Sequence, residues 1–257
     1  MSEPQPQPTR AEIEKTMRGN RRLLSVSRNW IVIALVFLFV YTGLSLTAPV
    51  FMKLGMEGPA NVIYRIYSPM CHQFAFRSWF FFGDQVAYPR ETAGSNLDSF
   101  EDYAARDEHF DGVNLSDWSD ELMVKARTFH GNEEMGYKTA LCERDVAIYL
   151  AMFLAGLAFI PVRDWLRPAP IWLYLILGLG PIGLDGTSQL FSYPPLEMWP
   201  VRETIPVFRA ATGALFGIMN VWLAFPYIER SVRETITELE EKLAFAEQQL
   251  VAVDREQ

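Results

Sequence analysis

Residues 30–52 are 23 consecutive residues without a charged side chain. Wound as α-helix at about 1.5 Å per residue, such a run exceeds the roughly 30 Å hydrocarbon thickness of a bilayer. No other feature narrows the fold as far, because a helix that is apolar all round has to be surrounded by apolar material. Three further uncharged runs follow. Residues 146–162 number 17, the lower limit for a span, and end at Pro161 followed by Arg163, Asp164 and Arg167. Residues 168–184 continue past Asp185 to Phe191, and residues 210–228 are again uncharged. Core helices of a soluble protein would carry a charged stripe, and these runs carry none. The expected architecture is an all-α integral membrane protein with four transmembrane helices.

Residues 1–20 are rich in proline, glutamine and charge and lack the apolar core of a removable signal, so the first run is expected to be an uncleaved span. Lysine and arginine near span ends remain in the cytoplasm. Arg10, Lys15, Arg18, Arg21, Arg22 and Arg28 precede the first run, Arg163 and Arg167 lie in the turn between the second and third, and Arg230 and Arg233 follow the fourth. Orientation with both termini cytoplasmic gathers these clusters on one side of a cell (inner) membrane. The other side then receives residues 53–145, of which residues 84–145 hold 15 acids against six bases. Segregated in this way, the formal net charge of -8 says little by itself. No basic tract interleaved with aromatics points to nucleic acid.

The chain is expected to divide into a cytoplasmic basic arm (1–29), spans at 30–52, 146–162, 168–191 and 208–228, an outer segment (53–145) and a cytoplasmic helix (229–257). Residues 1–20 read as a largely disordered arm. In the outer segment the apolar stretches 62–67 and 79–82 are too short to cross and read as interfacial or re-entrant helices. Residues 84–137 read as an acidic insertion of limited order, with Ser116 or Asp117 capping a short helix that has Asp120 and Glu121 in its first turn. Beyond the fourth run, Val232, Ile236, Leu239, Leu243, Ala246, Leu250 and Val253 alternate spacings of four and three, the seam of about three heptads. That seam suits a coiled coil, and through it a homo-oligomer or a larger membrane complex, or else an amphipathic helix on the membrane surface.

The polar residues with chemical potential fall at one level, near the outer interface. Cys71 and His72 follow Pro69, while Cys142 precedes Glu143, Arg144 and Asp145. Asp185 and Gln189 sit near the outer end of the third run, and Arg209 opens the fourth. A carboxylate beside a transmembrane helix normally faces the bundle interior with a partner, so Asp185 is a functional candidate, with Arg209 as its expected partner and Arg144 next. The pair could serve a ligand or only helix packing. Two cysteines in an oxidising compartment suit a disulfide. The same cysteines with His72 and a carboxylate from Asp145 or Asp185 also form a mixed sulfur, nitrogen and oxygen set suited to zinc or another transition metal.

At these residues the chain resembles a family of bacterial and archaeal multi-pass membrane proteins known as a domain of unknown function of the 2085 type. The resemblance rests on Cys71-His72-Gln73 with Arg77-Ser78, on Cys142-x-Arg144, on Pro181-x-Gly183-x-Asp185-Gly186-Thr187-x-Gln189, and on Arg209-x-x-Thr212-Gly213. Where members commonly carry a second cysteine after Cys142, this chain has Asp145, which keeps a ligand oxygen. The resemblance implies no reaction, and it adds Gln73 to Asp185, Gln189 and Arg209 as residues that could hold a cofactor or polar ligand. Three functions compete: a membrane protein binding a metal ion or small polar ligand on its outer face, an accessory subunit joined through its tail, and a membrane enzyme acting on a lipid or small polar substrate. The enzyme ranks last, because no phosphate-binding loop, nucleophile elbow or zinc-protease helix is present.

Overall fold

The computed structural model describes residues 9–256 and the side chains of residues 9–252. Four of its helices are long and apolar enough to cross a membrane: Trp30–Lys53, Glu143–Val162, Ile171–Leu190 and the first part of a helix beginning at Pro206. Helix α1 (Arg10–Arg28) leads through Asn29 into α2 (Trp30–Lys53), the first of these. Ile31, Leu35, Leu38, Thr42, Ser45 and Ala48 recur every three or four residues and are buried on one face of α2. The other face leaves Phe37 and Phe39 each 62% exposed. A contiguous apolar face of this kind is stable against hydrocarbon and not against water.

After α3 (Glu57–Tyr67) the chain enters a compact unit. Strand β1 (Ser78–Phe81), helices α4 (Phe100–Ala104) and α5 (Asp120–Thr128), and strands β2 (Gly131–Asn132) and β3 (Gly136–Cys142) surround Phe76, Phe80, Tyr88, Phe100, Phe110 and Phe129. The antiparallel sheet has the order β1-β3-β2, with Ser78 opposite Cys142 and Phe80 opposite Lys138. Three expectations change here. Residues 79–82 lie in and just after a strand, not in a re-entrant helix, so the fold is not all-α. Within the acidic stretch, residues 84–137 contribute Tyr88, Phe100, Phe110 and Phe129 to a core, because aromatics recur between the surface acids. The cap of α5 is Ser119, whose hydroxyl accepts from the Leu122 amide, and not Ser116 or Asp117.

Strand β3 runs without a loop into α6 (Glu143–Phe159), which ties the compact unit to the second span. The third span is composite: α7 (Ile171–Leu173), a wider π-helical stretch (Tyr174–Leu179) and α8 (Gly180–Leu190). Pro181 lies just beyond the wide turns, where its ring would clash with the carbonyl four residues back in regular α-helix. Helix α9 (Pro206–Glu256) carries the fourth span and the tail as one rod of 51 residues. It packs most extensively on α6, and glycines permit the approach. A Cβ at Gly217 would lie 2.4 Å from the Ile148 carbonyl oxygen and one at Gly213 would lie 2.7 Å from that of Arg144, the close backbone contact that small residues four apart allow between membrane helices.

The tail seam has an occupant. Leu239, Leu243 and Ala246 of α9 bury against Ile13, Met17 and Leu24 of α1, with Ile236 and Leu250 alongside. Arg21 pairs with Glu247 and Arg28 with Glu240 at the margins. The arm expected to be disordered is helical from Arg10 onward, while residues 1–8 and the Val253 side chain lie outside the described residues. Apolar seam positions need a partner, and here the chain itself supplies it, bringing its two ends together at one end of the bundle. Leu239→Asp with Leu243→Asp is therefore expected to release α1, so that trypsin cuts after Arg18, Arg21 and Arg22 at least about tenfold faster while the particle mass is unchanged. An unchanged cutting rate would show that the seam does not hold α1.

Candidate functional site

At the opposite end of the bundle, under the compact unit, a cavity of about 270 Å³ collects residues from five parts of the chain. Cys71, His72 and Gln73 come from the loop after α3, Arg77 from just before β1, and Cys142, Arg144 and Asp145 from the junction of β3 and α6. Gln189 of α8 and Arg209 of α9 complete the wall.

Ligand atoms of Cys71, Cys142 and Asp145 lie within 4.8 Å of one another. The two cysteines are free thiols, and the Cys142 amide donates to Cys71 Sγ at 3.3 Å. The Cys71 thiol, then burial, push the Cys142 thiol well above its ordinary value. His72 lines the same cavity yet does not join this group; its ring lies 5.4 Å from that of Phe74. Gln73 adopts a left-handed backbone (φ 56°), and its amide nitrogen donates to the Tyr64 carbonyl at 3.0 Å and the Ala140 carbonyl at 2.8 Å. It clamps α3 to β3, so its side-chain donors are committed to the fold.

Lys138, wholly buried on β3, supports this loop from behind. Its ammonium donates to the carbonyls of Gln73 at 2.6 Å, Arg127 at 2.7 Å and Ala126 at 3.2 Å. Burial pushes it down to about 7 against some return from Cys71. Nearby His130 stacks on Tyr64 at 3.9 Å between ring centres and is lowered to about 4, by burial first and Lys138 second.

Beneath the cavity runs a buried ionic network. Asp185 accepts from Arg144, from Thr204 Oγ1 at 2.5 Å, from Gln189 Nε2 at 3.0 Å and from Arg202 Nη1 at 3.3 Å. Glu203 accepts from Tyr193 at 2.5 Å, from Arg77 at 2.7 Å and from Arg209. Burial raises the Glu203 carboxyl, but Arg77 and Arg209 outweigh it and hold the group below its usual range. Gln189 links the halves by accepting from Arg209 at 3.1 Å while donating to Asp185 and to Thr204. The expected Asp185–Arg209 pair is thus replaced by Asp185–Arg144 and Arg209–Glu203, with Gln189 between. Adjacent to both, Glu143 is 1% exposed, and among the described residues neither of its carboxyl oxygens has a hydrogen-bond partner; the same holds for the Nε atoms of Arg77, Arg144 and Arg209.

Sequence reasoning passed over Glu203, Arg202, Thr204 and Tyr193. The signal available was the Arg202-Glu203-Thr204 group placed directly before an apolar run, where charges need partners. Trp118 of the compact unit stacks flat on Tyr193 at 4.0 Å, and Arg77 lies over both rings. No local pattern announces that contact.

The family model described as "Predicted membrane protein (DUF2085)" matches residues 125–223. The chain therefore resembles these proteins over Cys142, Asp145, Asp185, Gln189 and Arg209, while Cys71 and His72 precede the matched segment. An uncharacterized protein of Methanocaldococcus jannaschii is 23% identical over 208 residues, covering 78% of this chain and 93% of its own length. No solved structure matches.

Removing one member of a buried ion pair leaves the other charge uncompensated, a loss of roughly 3–5 kcal/mol. Asp185→Asn is therefore expected to lower the thermal unfolding midpoint in detergent sharply. Combination with Arg144→Gln should show a coupling of about 1 kcal/mol or more. Strictly additive losses would mean that the two do not interact.

Proposed function

We propose that this membrane protein binds a transition-metal ion in the cavity under its compact unit, through the thiolates of Cys71 and Cys142 and a carboxylate oxygen of Asp145. The observation that carries this reading is the approach of those three ligand atoms to within 4.8 Å at the wall of a cavity. Two thiolates and one carboxylate suit zinc or a neighbouring first-row ion. Three protein ligands leave a tetrahedral ion one open position, which His72 or a small ligand from the cavity can take. Binding displaces the thiol protons, so affinity is expected to rise with pH.

A second reading, a small anionic ligand, is favoured by the guanidinium Nε atoms of Arg77, Arg144 and Arg209, which lack partners among the described residues although all three residues line the cavity. Gln189 and Arg209 then belong to the ligand's wall, while Asp185 positions Arg144. An accessory role through the tail is less favoured, since the seam is filled by α1.

Both termini are proposed to lie in the cytoplasm and the metal cavity on the outer side of the cell membrane. Support comes from the arginines of α1, of the turn at Arg163 and Arg167, and of α9 at Arg230 and Arg233, which share the end of the bundle opposite the cavity. Single cysteines introduced into a Cys71→Ser, Cys142→Ser background should react with an impermeant maleimide at Asp98 and be protected at Lys242. The reverse pattern overturns the orientation.

Metal analysis of the detergent-purified chain tests the site. About one equivalent of zinc, iron or cobalt is expected after loading, lost in Cys71→Ser and in Cys142→Ser, and weakened at least about tenfold in Asp145→Asn. A stoichiometric Cys71–Cys142 disulfide in the protein as isolated from cells, or equal metal content in all variants, overturns the assignment.

A further inference from the structure

At the termini end of the bundle, between α6 and α9, an apolar groove of about 570 Å³ opens to the side. Every residue that lines it is apolar, among them Ala155, Ala158, Phe159, Ile218 and Trp222. It extends along α6 and the tighter helical turn after it, from Ala151 to Val162, a rise of about 16–18 Å, which is roughly half of a bilayer's 30 Å of hydrocarbon. The groove therefore has the depth of one leaflet.

Its end is not apolar. Leu166 lines this groove and also a second cavity of about 490 Å³, formed by the turn between α6 and α7 and by α9. Arg163, Arg167, Arg230 and Arg233 face Asp164 and Glu229 there. Arg233 pairs with Asp164 and with Glu229 at 2.7 Å, and Arg163 approaches Glu229 at 4.0 Å. Among the described residues Arg167 and Arg230 make no ion pair, so two guanidinium charges remain beside the mouth of the groove. Trp165 within this turn is 70% exposed, and Trp172 just after it in α7 is 59% exposed. Tryptophans in that position mark the level of lipid headgroups.

We infer that this composite pocket is a site for an anionic glycerophospholipid, with an acyl chain along the α6–α9 groove and the phosphate held by Arg167 and Arg230. A phosphate matches guanidinium donors in geometry as well as charge. The uncompensated pair also discriminates: a zwitterionic headgroup carries its own ammonium into a field already positive, whereas phosphatidylglycerol does not. The site is separate from the metal cavity and shares no residue with it.

Native mass spectrometry of the delipidated full chain, titrated with phosphatidylglycerol or phosphatidylcholine, tests the inference. Phosphatidylglycerol is expected to bind at least about tenfold more tightly than phosphatidylcholine, and Arg167→Gln with Arg230→Gln to abolish that preference. Ala158→Trp, which fills the groove at an exposed position, should weaken binding of both lipids. Lys53→Gln, an equal loss of charge per residue at the opposite end of the bundle, should change neither. The unfolding midpoint without lipid confirms that each variant is folded. Equal affinity for the two lipids, or a preference untouched by the arginine changes, overturns the site. A delipidated dimer that Ala158→Trp dissociates would assign the groove to a second copy of the chain instead, and equally overturns it.

Discussion

The ion network of Arg77, Arg144, Arg202 and Arg209 with Asp185 and Glu203 is the interaction on which the rest of the molecule depends. Each carboxylate receives donors from at least two separate segments, so the loop before β1, the start of α6, the end of α8 and the start of α9 are fixed to one another at a single level. In a membrane the apolar faces of helices gain nothing from each other that lipid would not supply, and packing is decided by close backbone contact and by polar groups that must be satisfied. This chain uses both devices along one pair of helices: Gly213 and Gly217 bring α9 onto α6, and the network holds the polar end of the same bundle.

The arrangement leaves the cavity at the meeting point of a rigid sheet and a rigid bundle. Cys142 is the last residue of β3 and the cap of α6, and Asp145 lies in the first turn of that helix. Cys71 is held opposite by a loop whose carbonyls are bound by Lys138 and whose Gln73 amide is clamped to β3. The proposed ligands are therefore positioned by elements that cannot shift independently, the condition under which a small ion is held at fixed geometry. Glu143 is buried among the arginines, and among the described residues its carboxyl oxygens have no hydrogen-bond partner.

The two ends of the molecule differ in kind. The cavity end is covered by a folded polar unit and is dense in paired charge. The termini end is the pairing of α1 with α9 over a basic turn, where two arginines without an ion pair among the described residues lie beside an apolar groove.

Much of this was legible in the linear chain, because hydrophobic length and charge segregation act locally. Four uncharged runs of span length follow from composition alone, and the four-and-three spacing from Val232 onward marked a seam that required a partner. The polar groups at the cavity and in the network beneath it were also recognisable as a set, since Cys71, Cys142, Asp185 and Arg209 each interrupt or border an apolar run. Choice of partner was not legible. Whether Asp185 meets Arg209 or Arg144 depends on the rotation of α8 against α6 and α9, and a helix turns side chains by 100° per residue, so a small change in packing exchanges one arginine for another. The seam likewise stated its need without naming α1, and the acidic stretch concealed its aromatic core, because burial is decided by which distant residues meet. Sequence by itself determined the membrane spans and the positions where charge is expensive; tertiary structure alone decided how those charges are satisfied, since a carboxylate in a low-dielectric bundle takes whichever guanidinium the packing brings within reach.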